Sequence, residues 1–149
     1  MVATKAGSLR TLCIDIGGTG LKAIVLDERG HKLTDRVRVE TPKPATPETV
    51  VAALLALVKP LAPFDRVSVG FPGVIVGGST HTAPNLDKSW KNFELKESLE
   101  RRLKRPTRVL NDAGVQGFGV IEGKGLEMLL TFGTGMGCAL YMDGAYVPN

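Results

Sequence analysis

An aspartate, a threonine and a lysine spaced around three glycines open the chemistry of this chain: Asp15-Ile16-Gly17-Gly18-Thr19-Gly20-Leu21-Lys22. The runs on either side, Leu12-Cys13-Ile14 and Ala23-Ile24-Val25-Leu26, both read as strands. The turn therefore joins strand to strand, whereas a P-loop or dinucleotide fingerprint leads from a strand into a helix. Glycines and a threonine let backbone N–H groups approach an anion closely, as a phosphate-binding nest does. Lys22 could neutralise phosphate charge. Asp15 has the wrong charge for phosphate and the right one for Mg²⁺, which takes carboxylate plus water. A glycine-rich hairpin can also do no more than turn the chain.

The same layout returns near the other end. Leu129-Leu130-Thr131-Phe132 runs into Gly133-Thr134-Gly135-Met136-Gly137, and Cys138-Ala139-Leu140-Tyr141-Met142 follows. Two such hairpins could clamp a polyanionic phosphate donor from both sides. Between them, Asn111-Asp112 ends a predicted strand over Thr107 to Leu110, at the carboxyl end where open α/β sheets bind ligands. A carboxylate there can take the proton of a hydroxyl attacking phosphorus, and the asparagine can hold a neighbouring hydroxyl. The same dipeptide also suits a helix N-cap. Asn85 could hydrogen-bond a sugar hydroxyl, and Trp90 reads as a partly buried anchor of that loop. His31 and His81 form no ligand pattern and read as surface residues.

The elements that must hold these residues alternate. A third strand is expected over Leu33 to Glu40. Thr46-Pro47 gives an N-cap and a first-turn proline for a helix to about Lys59, apolar almost all round from Val50 to Val58 and so buried against a sheet. Arg66 to Phe71 reads as a strand broken by Pro72-Gly73. Asn92 is a candidate cap for a helix with Leu95, Leu99 and Leu103 on one face. Its basic end, Arg101, Arg102, Lys104 and Arg105, either complements the helix dipole or forms a track for a long anion. Ala113 to Glu122 is weakly helical because Gly114, Gly117 and Gly119 interrupt it. This order predicts an α/β protein with a mixed sheet. The last hairpin lacks a following helix to cover it, so a longer protein or a partner is expected to supply cover.

Composition sets outer bounds. The 149 residues are 43% apolar and 23% charged, with a net charge of +4 and 5% aromatics. That fits a globular domain binding an anionic substrate, without the aromatic platforms of nucleic-acid binders. No signal-peptide core or membrane-spanning run is present, so a reducing, cytoplasmic setting is expected. Cys13 and Cys138 read as buried free thiols.

The pattern of these residues resembles a known family. Asp15 to Lys22 resembles the first phosphate motif of the sugar-kinase, actin and Hsp70 superfamily. Phe71-Pro72-Gly73, Asn111-Asp112-Ala113 and Gly133 to Gly137 look like successive motifs of its ROK branch (repressor, open reading frame, kinase). Ala83-Pro84-Asn85-Leu86-Asp87-Lys88-Ser89-Trp90 and Thr131 to Gly135 are most similar to polyphosphate glucokinases.

The resemblance implies a ribonuclease-H-like mixed sheet with flanking helices, plus the first hairpin of a second lobe. It divides the chain into an N-terminal lobe, 1–111, and a connecting helix with an incomplete C-terminal lobe, 112–149. It implies Mg²⁺-dependent transfer of a phosphoryl group from polyphosphate or ATP to the 6-hydroxyl of glucose. Asp112 becomes the general base, and Asn85, Asn111, Asp112 and Gly73 become sugar contacts. Gly17, Gly18, Thr19, Gly20 and Lys22, with Gly133, Thr134, Gly135 and Gly137, become donor contacts, and Asp15 lies near the metal.

The full-length form is expected to be a homodimer with no nucleic-acid or membrane partner. Alternatives within the branch are an ATP-dependent kinase for glucose or an N-acyl hexosamine, and a sugar-sensing repressor. The chain departs from the family at Gly114, where a second aspartate is usual, and at Gln116, which replaces a small residue, so a looser helix start is expected. The family continues past Pro148-Asn149 with a glutamate and a histidine of the sugar site and with a zinc-binding cysteine cluster that polyphosphate glucokinases generally lack, so the fragment alone is expected to be inactive.

Overall fold

The computed structural model describes residues 9–132 and 136–148. Gly133, Thr134 and Gly135, expected to contact the donor, lie outside the described residues. Strands β1 (Thr11–Ile16), β2 (Gly20–Leu26) and β3 (Val37–Glu40) form a meander. Helix α1 (Pro47–Val58) leads through a 3-10 turn to β4 (Arg66–Phe71). A two-residue hairpin follows, β5 (Ile75–Val76) and β6 (Ser79–Thr80), and then α2 (Leu95–Leu103), β7 (Thr107–Asn111) and α3 (Asp112–Gly117). The chain ends in β8 (Leu126–Phe132), β9 (Met136–Met142) and β10 (Ala145–Val147).

The main sheet has the order β3-β2-β1-β4-β7, with β1, β4 and β7 parallel and β2 and β3 antiparallel to their neighbours. It is the expected mixed α/β sheet. One face carries Leu12, Ile14, Ile16, Leu21, Ala23, Val25, Val67 and Val69, all buried under α1 and α2. The Thr46 hydroxyl caps α1 by accepting from the Thr49 N–H, and Pro47 fills the first turn. Only part of α1 is buried: Val50, Val51, Leu54 and Val58 pack inward while Ala52 and Ala56 are exposed. Its all-round apolar pattern arises because the solvent side is built from alanine.

Several boundaries differ from those expected. The third strand covers only Val37–Glu40, preceded by a lone bridge between Leu26 and Lys32, because the turn after β2 absorbs residues 27–36. Asn92 does not cap α2; it takes a left-handed φ of 61°, and Glu94 occupies the N-cap position with no side-chain cap. Helix α3 stops at Gly117, well short of Glu122. Cys13 and Cys138 are half-buried, not buried. Among the described residues no helix is long and apolar enough to cross a membrane.

The final three strands form a separate sheet, β10-β9-β8, with its own small core of Ala113, Ala139 and Tyr141. The last hairpin is therefore not bare on both sides, since α3, which precedes it, covers one face. The buried Tyr141 hydroxyl donates to the Gly114 carbonyl at 2.6 Å. A Cβ on Gly114 would lie 2.9 Å from the Tyr146 ring, and one on Gly117 would collide with the Tyr141 hydroxyl. These glycines are the close-packing surface of a short helix seated on two tyrosines, and Gly114 does not leave the helix start loose.

Candidate active site

Strands β1, β4 and β7 run parallel, so their carboxyl ends come to one rim, and the sequence places Asp15, Phe71-Pro72-Gly73 and Asn111-Asp112 there. Asn111 is the N-cap of α3: its Oδ1 accepts from the Ala113 N–H at 3.0 Å, while its Nδ2 donates to the Gly73 carbonyl at 3.0 Å. The cap reading holds, and the same amide ties the β7–α3 junction to the bend after β4. One N–H and one lone pair of the amide are left over. Asp112 is half-buried. Its Oδ1 accepts from the Ala113 N–H at 2.8 Å, and its Oδ2 has no partner among the described residues. Gly70, directly across from Asp15 in the sheet, lies under this residue: a Cβ there would be in ordinary van der Waals contact with the Asp112 Cα, at 3.6 Å.

The glycine turn is closed by a Gly17 N–H to Gly20 carbonyl bond of 3.0 Å. Thr41 props it from behind, its hydroxyl donating to the Gly17 carbonyl at 2.5 Å and its N–H to the Thr19 carbonyl at 3.4 Å. The amides of Gly18 and Thr19 donate to no group among the described residues, which leaves two N–H groups for an anion. None of Gly17, Gly18 and Gly20 has a positive φ, so their value is room and not backbone freedom. A Cβ on Gly18 would lie 3.0 Å from both the Cβ and the carbonyl oxygen of Asn85. The loop carrying Asn85 thus touches the glycine turn.

What holds Asn85 there is Trp90. The indole is fully buried, donates Nε1–H to the Ala45 carbonyl at 2.7 Å, and packs on Phe71 with ring centroids 4.9 Å apart. Asn85 itself is exposed. A tryptophan expected to be partly buried is a full core residue that nails the loop to β4.

Lys22 Nζ donates to Asp15 Oδ2 at 2.9 Å, pairing two side chains that sequence alone assigns to different partners, phosphate and metal. Among the described residues no group of three or more His, Cys, Asp or Glu is placed to hold a metal ion. A single carboxylate beside open amides nevertheless suits Mg²⁺, which completes its shell with phosphate oxygens and water. Asp15 is the residue that would hold it.

The second hairpin approaches through Gly137, where a Cβ would come within 3.1 Å of the Ala113 Cβ. Gly137 therefore lies beside the start of α3. The basic cluster of α2 lies elsewhere. Helix α2 feeds into the start of β7, so Arg101, Arg102, Lys104 and Arg105 sit at the end of the sheet opposite Asp112. Arg105 is engaged structurally, its Nε donating to the Phe64 carbonyl at 2.9 Å.

One basic residue that no local pattern singles out does reach the turn. Arg38 on β3 pairs across the sheet with Lys22, and its guanidinium lies over Gly20, where a Cβ would meet Nε at 2.9 Å. Only the β2–β3 register, invisible in a four-residue strand, puts it there.

Known proteins resemble this chain in sequence and in fold. The polyphosphate glucokinase of Mycobacterium tuberculosis is 36% identical over 144 residues, covering 91% of this chain and 54% of that protein. Among solved structures, the inorganic polyphosphate/ATP-glucomannokinase from Arthrobacter sp. strain KM superposes with a TM-score of 0.83 at 42% identity, over 95% of this chain and 61% of that one. The Streptomyces griseus ROK family glucokinase, solved in complex with glucose and AMPPNP, gives a TM-score of 0.80 at 30% identity, over 93% of this chain and 46% of that one. The chain spans about half the length of the curated relatives it matches. The ROK family model matches residues 11–147, nearly the whole chain, and with the sheet order and the motif placement above this protein belongs to the ROK family.

Proposed function

We propose that the protein takes part in phosphoryl transfer from polyphosphate or ATP to the 6-hydroxyl of glucose, with Asp112 as general base. The observation that carries this reading is the convergence at one rim of a half-buried carboxylate with a free oxygen, the glycine turn with two unpaired amides, and the Asn85 loop touching that turn. The sugar-kinase relatives support it.

In this reading Asp112 accepts the proton of the sugar hydroxyl as its oxygen attacks phosphorus. Asn85, Asn111 and Gly73 orient the sugar, and the Gly18 and Thr19 amides with Lys22 hold the donor. Mg²⁺ held by Asp15 would supply neutralisation of phosphate charge. Catalysis of this kind is mainly positioning and charge stabilisation. The reading includes two lobes, 1–111 and 112–149; because the chain spans about half the length of its curated relatives, the 149 residues alone are expected to be inactive. The decisive assay is glucose phosphorylation by the longest natural polypeptide carrying these residues, run with polyphosphate and with ATP. Turnover with either donor supports the reading and separates the two; none with both sinks it.

A further inference from the structure

We propose that Arg38 extends the donor site into a cationic stripe that grips phosphates of a linear polyphosphate beyond the one transferred; this rests on the kinase reading and deepens it. Cross-strand register builds the stripe. One row runs across the whole sheet through Leu110, Gly70, Asp15, Lys22 and Arg38, on β7, β4, β1, β2 and β3 in turn. Directly cross-strand residues share a face, and Asp112 overlies that face at Gly70. Starting at Asp112, the row therefore passes the carboxylate suited to Mg²⁺, then one cation, then a second.

Adjacent strands lie about 4.8 Å apart, which puts the Arg38 backbone roughly 14 Å from β4. That is far enough to act on phosphates remote from the reacting one. A nucleoside triphosphate gives way to its sugar along such a path, while a polyphosphate continues as charge.

The two cations are not equivalent. Lys22 is partly neutralised by Asp15 at 2.9 Å. The Arg38 side chain is exposed and makes no hydrogen bond or ion pair among the described residues. Glu40, two residues on along the same face of β3, is also exposed and does not pair with it. Instead the guanidinium rests on Gly20, in the same turn as the unpaired Gly18 and Thr19 amides. A planar donor fork on a turn with two free N–H groups is suited to phosphate oxygens.

The test is isothermal titration of the 149-residue chain with inorganic polyphosphate of defined long length and with tripolyphosphate. Arg38→Ala should raise Kd for the long polyphosphate about tenfold, as loss of a charge-assisted hydrogen bond does, and for tripolyphosphate by less than about twofold. Arg38→Lys should recover part of the loss, and Glu40→Gln should tighten binding by removing a nearby negative charge. The double variant Arg101→Ala/Arg102→Ala, at the far end of the sheet, should leave both ligands unaffected. Equal weakening of both ligands by Arg38→Ala, no weakening, or a loss matched by the far-end double variant would each overturn the inference while leaving the kinase reading intact. Absence of saturable polyphosphate binding to the unaltered chain also overturns it, and the kinase reading then stands or falls on the phosphorylation assay.

Discussion

The two glycine hairpins look alike in sequence and are held in different ways. The β1–β2 hairpin is central in a five-stranded sheet, with one face buried under two helices and the other carrying Asp15 and Lys22 at its rim. Among the described residues the β8–β9 hairpin rests on α3 and the segment just after it, where Phe118 packs on Tyr141 and Ile121 joins the small core. Its other face pairs Leu126 with Met142, Met128 with Leu140, Leu130 with Cys138 and Phe132 with Met136, and Phe132 and Met136 are 78% and 71% exposed. Apolar patches of this kind on a monomer are uncommon. A glycine motif specifies a turn, while its support depends on what the rest of the chain packs against it. Here the first hairpin is built into the main core, and the strands of the second pack on a six-residue helix and the residues just after it.

Asp112 begins that helix, so the largest effect is expected where the two regions meet. Asp112→Asn in the longest natural polypeptide should lower kcat by roughly a thousandfold or more, at the upper range of general-base effects, with sugar binding kept. An unchanged kcat would remove Asp112 from the role. Next comes the first region's anchor. Trp90→Ala should cost about 3–5 kcal/mol, the usual loss for a buried aromatic, and release the Asn85 loop. Denaturant unfolding measures the first effect, and proteolysis at residues 83–90 the second.

A smaller change should reach the second region selectively. Gly117→Ala would normally favour a helix, yet its methyl group meets the Tyr141 hydroxyl. A destabilisation of about 1–3 kcal/mol from overpacking is expected, with hydrogen-exchange protection lost in β8–β10 and retained in β1–β4. Loss in both sheets together would show that the two regions unfold as one.

The smallest effect concerns acid. Asp65 accepts from the Arg10 backbone and guanidinium, and those bonds bring its pKa down from 3.8 to about 2. Its folded pKa is depressed, so its contribution is present above the unfolded value of 3.8 and fades as pH falls toward about 2. Thermal melts over that window should show a slightly shallower acid decline for Asp65→Asn than for the unaltered chain. Both side chains are substantially exposed, which keeps the difference small.

Much of this molecule was legible in its sequence. Hydrophobic periodicity located the strands of both hairpins and the two longer helices, and Thr46-Pro47 marked the start of α1 because a cap and a first-turn proline act locally. The order of glycine turn, Asn111-Asp112 and second glycine turn was enough to propose phosphoryl transfer. Local signals misled at Asn92, whose backbone turns left-handed, and at α3, whose glycines read as helix breakers and serve as seats for Tyr141 and Tyr146.

Pairings between distant segments were not legible. Lys22 faces Asp15, Trp90 pins Asn85 beside Gly18, and Arg38 lies over Gly20, while the conspicuous basic end of α2 points away from the site. Each depends on strand register or helix direction, which is set by burial of the whole sheet, and no short stretch of residues encodes it.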